Sequence, residues 1–218
     1  MKLFLTSGGL PPETIKEFFK LLNKKPKGIK LCFDTTASYG EHPKGNPWYV
    51  KKDRQQLLDL GFKVMELDLR TENKKSLKEK LKNIDVIFVE GGNTFYLLKY
   101  VRESGFDKVI KLLLKKKMIY VGVSAGSIIA GLNIDSAGWK HADRNIVNLK
   151  DLTGLKLVPF VITPHTDETN IEVIKKCASK ANYPVIALSD KQAALIKGKT
   201  KRIVGIGNKL IFNTTDRF

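Results

Sequence analysis

The chain has 218 residues, 42% of them hydrophobic, with no repeat, low-complexity tract or long linker, so one globular domain over residues 1–218 is expected. Its formal net charge of +17, from 39 Lys and Arg against 22 Asp and Glu, invites nucleic acid, but the lysines are spread over most helix-like segments and no aromatic-and-basic recognition motif accompanies them, which argues against that partner. No apolar run approaches membrane-spanning length, the Met1–Ser7 stretch is too short for a signal segment, and the two isolated cysteines, Cys32 and Cys177, form neither a metal spacing nor a disulfide framework, so a cytoplasmic protein is expected, with no membrane and no metal.

Along the chain, apolar runs alternate with amphipathic segments. Lys2–Thr6, Ile29–Phe33, Phe62–Leu67, Val86–Glu90 and Met118–Val121 read as strands, and Pro12–Asn23, Pro47–Leu60, Lys74–Asn83 and Thr94–Lys116 as the helices between them. This pattern predicts an α/β fold: a mostly parallel, doubly wound sheet flanked by helices on both faces. Asp135–Gly154 has little periodicity and reads as a surface loop. Beyond it, Leu157–Thr163 reads as a strand and Asp167–Ala181 as a helix, while the short runs Val185–Leu188, Gln192–Lys197, Ile203–Gly207 and Lys209–Phe212 read as a C-terminal antiparallel extension of the sheet.

Ligands of open α/β sheets sit beyond the carboxyl ends of the strands, and what these strands deliver there is coherent. Gly122-Val123-Ser124-Ala125-Gly126 follows a buried-strand pattern and precedes small residues of helical type, the context of a nucleophile elbow with Ser124 at its tip. The Leu157–Thr163 strand delivers Pro164-His165, and His165 is the histidine placed to act as base; His42 and His141 lie in polar loops and read as surface residues. The acid that orients the base is Asp190, after the next strand, or Asp135, soon after the elbow helix. An α/β-hydrolase would run Ser, acid, His with a strand supplying the acid, and Asp135 follows the elbow too closely for that, so Asp190 is the more natural assignment.

Glu90-Gly91-Gly92-Asn93-Thr94 follows the Val86 strand. A diglycine there lets backbone N–H groups approach a substrate carbonyl, and Gly92 and Ala125 are the candidate oxyanion donors. Glu90, Gly91, Asn93 and Thr94 are candidate substrate-binding residues. Asn93 or Thr94 reads equally as a helix N-cap, and Glu90 as a buried carboxylate paired with a lysine. Gly8-Gly9 does not make a dinucleotide fingerprint, and no nucleotide or other cofactor is called for.

Together, Gly91-Gly92-Asn93-Thr94, Gly122-Val123-Ser124-Ala125-Gly126-Ser127, Pro164-His165 and Leu188-Ser189-Asp190 resemble the peptidase E (aspartyl dipeptidase) family of serine peptidases, which also contains cyanophycinase. The resemblance covers nearly the whole chain. It implies a fold like that of class I glutamine amidotransferases, flavodoxin-like in outline, and hydrolysis of small peptides near their N-terminus. It maps Ser124 to the nucleophile, His165 to the base, and Gly92 and Ala125 to the oxyanion hole, with no cofactor, a small peptide as partner, and a monomer or homodimer. Two positions depart from the family pattern. Asp190 stands where peptidase E has a glutamate, and Asp167-Glu168-Thr169-Asn170 lacks the arginine that suits an acidic side chain, the nearest in sequence being Arg144 in the irregular loop. Two other readings follow from these departures: a family member that kept the fold as a small-ligand-binding module without turnover, and a cyanophycinase-like hydrolase.

Overall fold

The computed structural model describes residues 1–45, 47–140 and 143–214; His141 lies outside them. Five strands, β1 (Lys2–Thr6), β2 (Lys30–Asp34), β3 (Lys63–Leu67), β4 (Val86–Val89) and β5 (Ile119–Val123), pair in parallel in the order β3-β2-β4-β5-β1. Two further strands, β8 (Gln192–Lys197) and β9 (Thr200–Gly205), add to β1 antiparallel and complete a seven-stranded sheet. β4 and β5 are buried along their whole length, as continuous apolar runs must be when helices cover both faces, whereas the edge strand β3 is mostly open.

Alternation along the strands divides the core in two. Leu3, Leu5, Ile87, Val89 and Tyr120 face one side, and Phe4, Phe33, Phe88 and Val121 the other. Helices α1 (Pro12–Leu22) and α2 (Trp48–Asp59) cover the Phe4 side through Phe18, Leu21 and Leu57. The Leu3 side is covered by α3 (Lys74–Leu81), α4 (Thr94–Glu103), α5 (Phe106–Lys115) and α6 (Ala125–Ile129). The neighbours β5 and β1 thus send their chains to opposite faces, which opens a crevice at their carboxyl ends.

Four expected elements differ in detail. Thr94–Lys116 is two helices, not one: Gly105 takes φ +75° and the Ser104 hydroxyl accepts the Phe106 N–H, so the chain turns and buries Phe106 completely. Only Val161–Thr163 of the Leu157–Thr163 run is a strand, β6. Leu155, Lys156 and Leu157 instead donate their N–H groups to Ile129, Gly131 and Ala130, satisfying the carbonyls at the end of α6, and Pro159 has no N–H to give a ladder. Helix α7 covers Ile171–Ala178 rather than Asp167–Ala181, because the Asp167 carboxylate accepts from the Thr169 N–H and hydroxyl and holds the preceding residues in a turn. The C-terminal runs do not form one meander: β7 (Val185–Ala187) pairs parallel with β6 and antiparallel with β10 (Leu210–Phe212) in a separate three-stranded sheet.

Asp34, at the end of β2, is 1% exposed. Its Oδ1 accepts the Thr36 hydroxyl at 2.5 Å and the Thr36 N–H at 3.1 Å, while Oδ2 has no partner. Burial pushes its carboxyl up to about 7 from 3.8, partly offset by the Thr36 hydrogen bonds. Across that window the native state binds a proton that the unfolded chain has released, so stability falls as pH rises from about 4 to about 7, by on the order of 4 kcal/mol for this one group. Thermal melts across that range should therefore show a shallower decline for Asp34→Asn than for the unsubstituted protein, since the amide does not ionise. Equal slopes would contradict the assignment.

Candidate active site

The tip of the turn between β5 and α6 is Ser124, held at φ +46° and ψ −108°, a conformation that a non-glycine residue adopts only under the constraint of its surroundings. Its N–H donates to the Thr6 carbonyl at 3.1 Å, and the Ser127 hydroxyl donates to the carbonyls of Thr6 and Gly122 at 2.7 Å. The flanking glycines are required by space. A Cβ on Gly122 would stand 2.6 Å from the Gly126 carbonyl oxygen, and one on Gly126 would stand 2.1 Å from that of Val89.

His165 follows β6 at φ +53°. Its N–H donates to the Ser7 hydroxyl at 3.0 Å, that hydroxyl donates to the Leu188 carbonyl at 2.8 Å, and the His165 carbonyl accepts from the Asn170 amide at 2.9 Å. The main chain thus aims the ring. Nε2 lies 3.0 Å from Ser124 Oγ, and Nδ1 lies 2.7 Å from Asp190 Oδ1. The hydrogen bond with His165 holds the Asp190 carboxyl below its usual value against the opposite pull of partial burial, and the nearby charges of His165 and Lys140 act in the same direction as the hydrogen bond. Lys140 itself donates to the Pro164 carbonyl, and burial brings its ammonium down to about 8.

Among the described residues, the N–H groups of Gly92 and Ala125 have no protein partner. Gly92 sits at φ +130°, where a Cβ would collide with the Ala37 carbonyl at 2.5 Å, so only glycine lets this backbone pass against Ala37. The N–H of Gly91 is spent on Glu90 Oε1 at 2.7 Å.

The remaining expected residues separate. Asp135 accepts the Tyr183 hydroxyl at 2.6 Å and makes no bond to His165. Asn93 and Thr94 do not line the cleft but organise the start of α4: Asn93 Oδ1 accepts the Tyr96 N–H at 2.9 Å as N-cap, and its amide donates to the Arg144 carbonyl at 2.8 Å. The Thr94 N–H donates to Asp143 Oδ2 at 2.7 Å. The Asp135–Gly154 segment is therefore tied to the site: it opens with a 3-10 turn at Asp135–Gly138, and Asp143 forms part of the cleft wall. Arg144 is exposed and does not line the cleft.

That cleft, of about 810 Å³, runs from Ser124 and His165 along the Ser7–Pro12 segment to α2. Sequence reasoning missed Ser7, Asp143 and the whole α2 contribution, which includes Trp48, Tyr49 and Asp53. Burial pushes the Glu90 carboxyl well up, with the Asp53 charge adding to the effect, and burial raises Asp53 to about 6. Asp143 and Glu41 are also raised, chiefly by burial. No lysine forms an ion pair with Glu90 among the described residues, so the expected Glu90–lysine pair does not occur.

The fold agrees with the comparisons. A crystal structure of a candidate peptidase E protein from Listeria monocytogenes superposes with a TM-score of 0.81 at 30% identity, covering 94% of this chain and 98% of that one. An uncharacterized peptidase of Listeria monocytogenes is 33% identical over 210 residues, 92% of this chain and 98% of its own length. A Drosophila melanogaster protein named probable alpha-aspartyl dipeptidase is 29% identical over 209 residues, 91% of this chain and 80% of its own. The model of peptidase family S51 matches residues 3–204, and with the mostly parallel sheet and the serine elbow in place, the chain belongs to that family.

Proposed function

We propose that this chain is a serine peptidase of the peptidase E type that hydrolyses small peptides through an acyl-enzyme. The observation that carries this reading is the continuous line from Ser124 Oγ to His165 Nε2, 3.0 Å, and from His165 Nδ1 to Asp190, 2.7 Å, beside two N–H groups without a partner among the described residues. His165 takes the Ser124 proton as the hydroxyl attacks the scissile carbonyl, the Gly92 and Ala125 N–H groups receive the oxyanion, and His165 returns the proton to the leaving amine. Water then repeats the sequence on the acyl-enzyme, releasing the acid and restoring Ser124.

Glu90, Gly91 and the cleft toward α2 hold the substrate, while Asn93 and Thr94 act on it indirectly by fixing the wall at Asp143. Asp190 serves as the acid despite its shorter arm, because the main chain around His165 brings the ring close enough. Residues 1–218 act as one domain, as a monomer or homodimer. Among the described residues no helix is long and apolar enough to cross a membrane, and a cytoplasmic location fits that reading.

A fluorophosphonate probe tests the chemistry directly. Peptide mapping of the labelled protein should place the adduct on Ser124, and labelling should vanish in Ser124→Ala. Failure of the probe to react, with no turnover of any dipeptide, would favour the reading in which the fold has kept a ligand pocket but lost catalysis.

A further inference from the structure

The chain as a whole is strongly basic, but its cleft is lined mainly by acids. Six carboxylates line it, Glu13, Glu41, Asp53, Glu90, Asp143 and Asp190, against two lysines, Lys52 and Lys191. Two of the acids form its inner end. Glu90 lines the cleft and is 1% exposed, and its Oε2, itself buried, has no hydrogen-bond partner among the described residues. Asp53, 5% exposed, reaches in from α2; both its oxygens lie 2.7 Å from where a Cβ on Gly9 would be, so the backbone at φ +57° makes room for the carboxylate.

An acceptor oxygen buried without a donor is destabilising, more so when charged, and that cost is recovered when a donor arrives. None of the described residues supplies one. Lys52 is close enough to be felt by both acids, but its ammonium lies 6.0 Å over the Trp48 ring and forms no ion pair with either among the described residues. Nor do three His, Cys, Asp or Glu side chains among the described residues converge closely enough to hold a metal ion.

We propose that the Glu90–Asp53 end of the cleft takes an ammonium group of the substrate, so that the chain selects peptides bringing a positive group past Ser124 rather than the acidic side chain implied by its resemblance to aspartyl dipeptidases. The word substrate rests on the peptidase reading; the recognition itself does not. The ammonium comes from a free N-terminus or from a basic side chain, and both present the same N–H donors to the paired carboxylates. The absence of arginine from residues 167–170 agrees with this sign.

Calorimetry on the Ser124→Ala protein, which holds peptides without cleaving them, reads binding apart from turnover. Titrated with Lys-Ala, Ala-Ala, N-acetyl-Ala-Ala and Asp-Ala, it should bind Lys-Ala or Ala-Ala at least tenfold more tightly than Asp-Ala. A loss on N-acetylation assigns the ammonium to the N-terminus, and a gain from Ala-Ala to Lys-Ala assigns it to the side chain. The preference should persist in 0.5 M salt, where the Debye length is only about 4 Å and diffuse surface attraction is screened.

Glu90→Gln keeps an acceptor for the Gly91 N–H, and Asp53→Asn tests the second acid from a different helix. Each should weaken the favoured peptide roughly ten- to hundredfold without changing Asp-Ala to the same degree. Tightest binding of Asp-Ala, or no effect of either substitution in a folded protein, overturns the proposal. Failure of the peptidase reading looks different, since it leaves this binding pattern intact but shows neither fluorophosphonate labelling nor turnover in the unsubstituted chain.

Discussion

Replacing Ser124 with alanine should reduce peptide turnover by roughly a million-fold, and His165→Ala by a similar factor, because nucleophile and base act as a unit and losing either removes the same pathway. Both side chains stand at the open mouth of the sheet, so thermal stability should change little; in Ser124→Ala the strain of φ +46° remains, because alanine keeps the Cβ. The double variant should be scarcely slower than either single one. Single-turnover kinetics on one dipeptide, with melting curves as the control for folding, reads all three. Residual turnover within a hundredfold of the unsubstituted protein in Ser124→Ala would remove the serine from the mechanism.

Asp190→Asn should lower kcat by a hundred- to ten-thousandfold with little change in KM. The amide can present its NH₂ to Nδ1 and favour the tautomer that leaves Nε2 protonated, unable to take the Ser124 proton. The upper figure belongs to buried triads. Here the Asp190 side chain is 65% exposed, so water screens part of its stabilisation of the imidazolium and the loss should fall below that limit. Ring placement should survive, since His165 is held through its own N–H and carbonyl by Ser7 and Asn170. Asp135→Asn, which loses only a charge facing Tyr183, should stay within a few-fold of normal; if it were the more damaging substitution, the acid would have to be reassigned.

The strands that carry the site were readable because they are buried on both faces, and such strands have no choice but to be apolar throughout; β1, β4 and β5 announce themselves this way. Ser124, His165 and Asp190 were readable for a related reason, as each directly follows an apolar run and therefore falls at a carboxyl end. Continuity of pattern misled elsewhere. The leucine and lysine spacing carries on through Ser104-Gly105, so the break there depends on one glycine conformation and not on any change of period. Leu157 and Val158 are apolar because they pack beneath α6, not because they join a ladder.

The cleft beyond Ser124 was the least readable part. Asp53 lies on a helix whose pattern reads as a solvated face with one buried stripe, and only the tertiary fold brings it to Glu90, thirty-seven positions further along the chain. Asp143 comes from a segment without periodicity and acquires its place through its own N–H on the Ala137 carbonyl and the hydrogen bond that its carboxylate accepts from the Thr94 N–H at the start of α4.

That hydrogen bond also determines where negative charge can rest. The amino end of a helix ordinarily offers a half-unit of positive charge to any passing anion. In α4 that pole is already discharged from within, by the carboxylate of Asp143 on the Thr94 N–H and by the Asn93 cap. The short α6 has no side-chain cap, so its amino end stays open beside Ser124, where an oxyanion would develop. A carboxylate product leaving that point passes the first turns of α1 and α2, and six acids set against two lysines, before it reaches solvent.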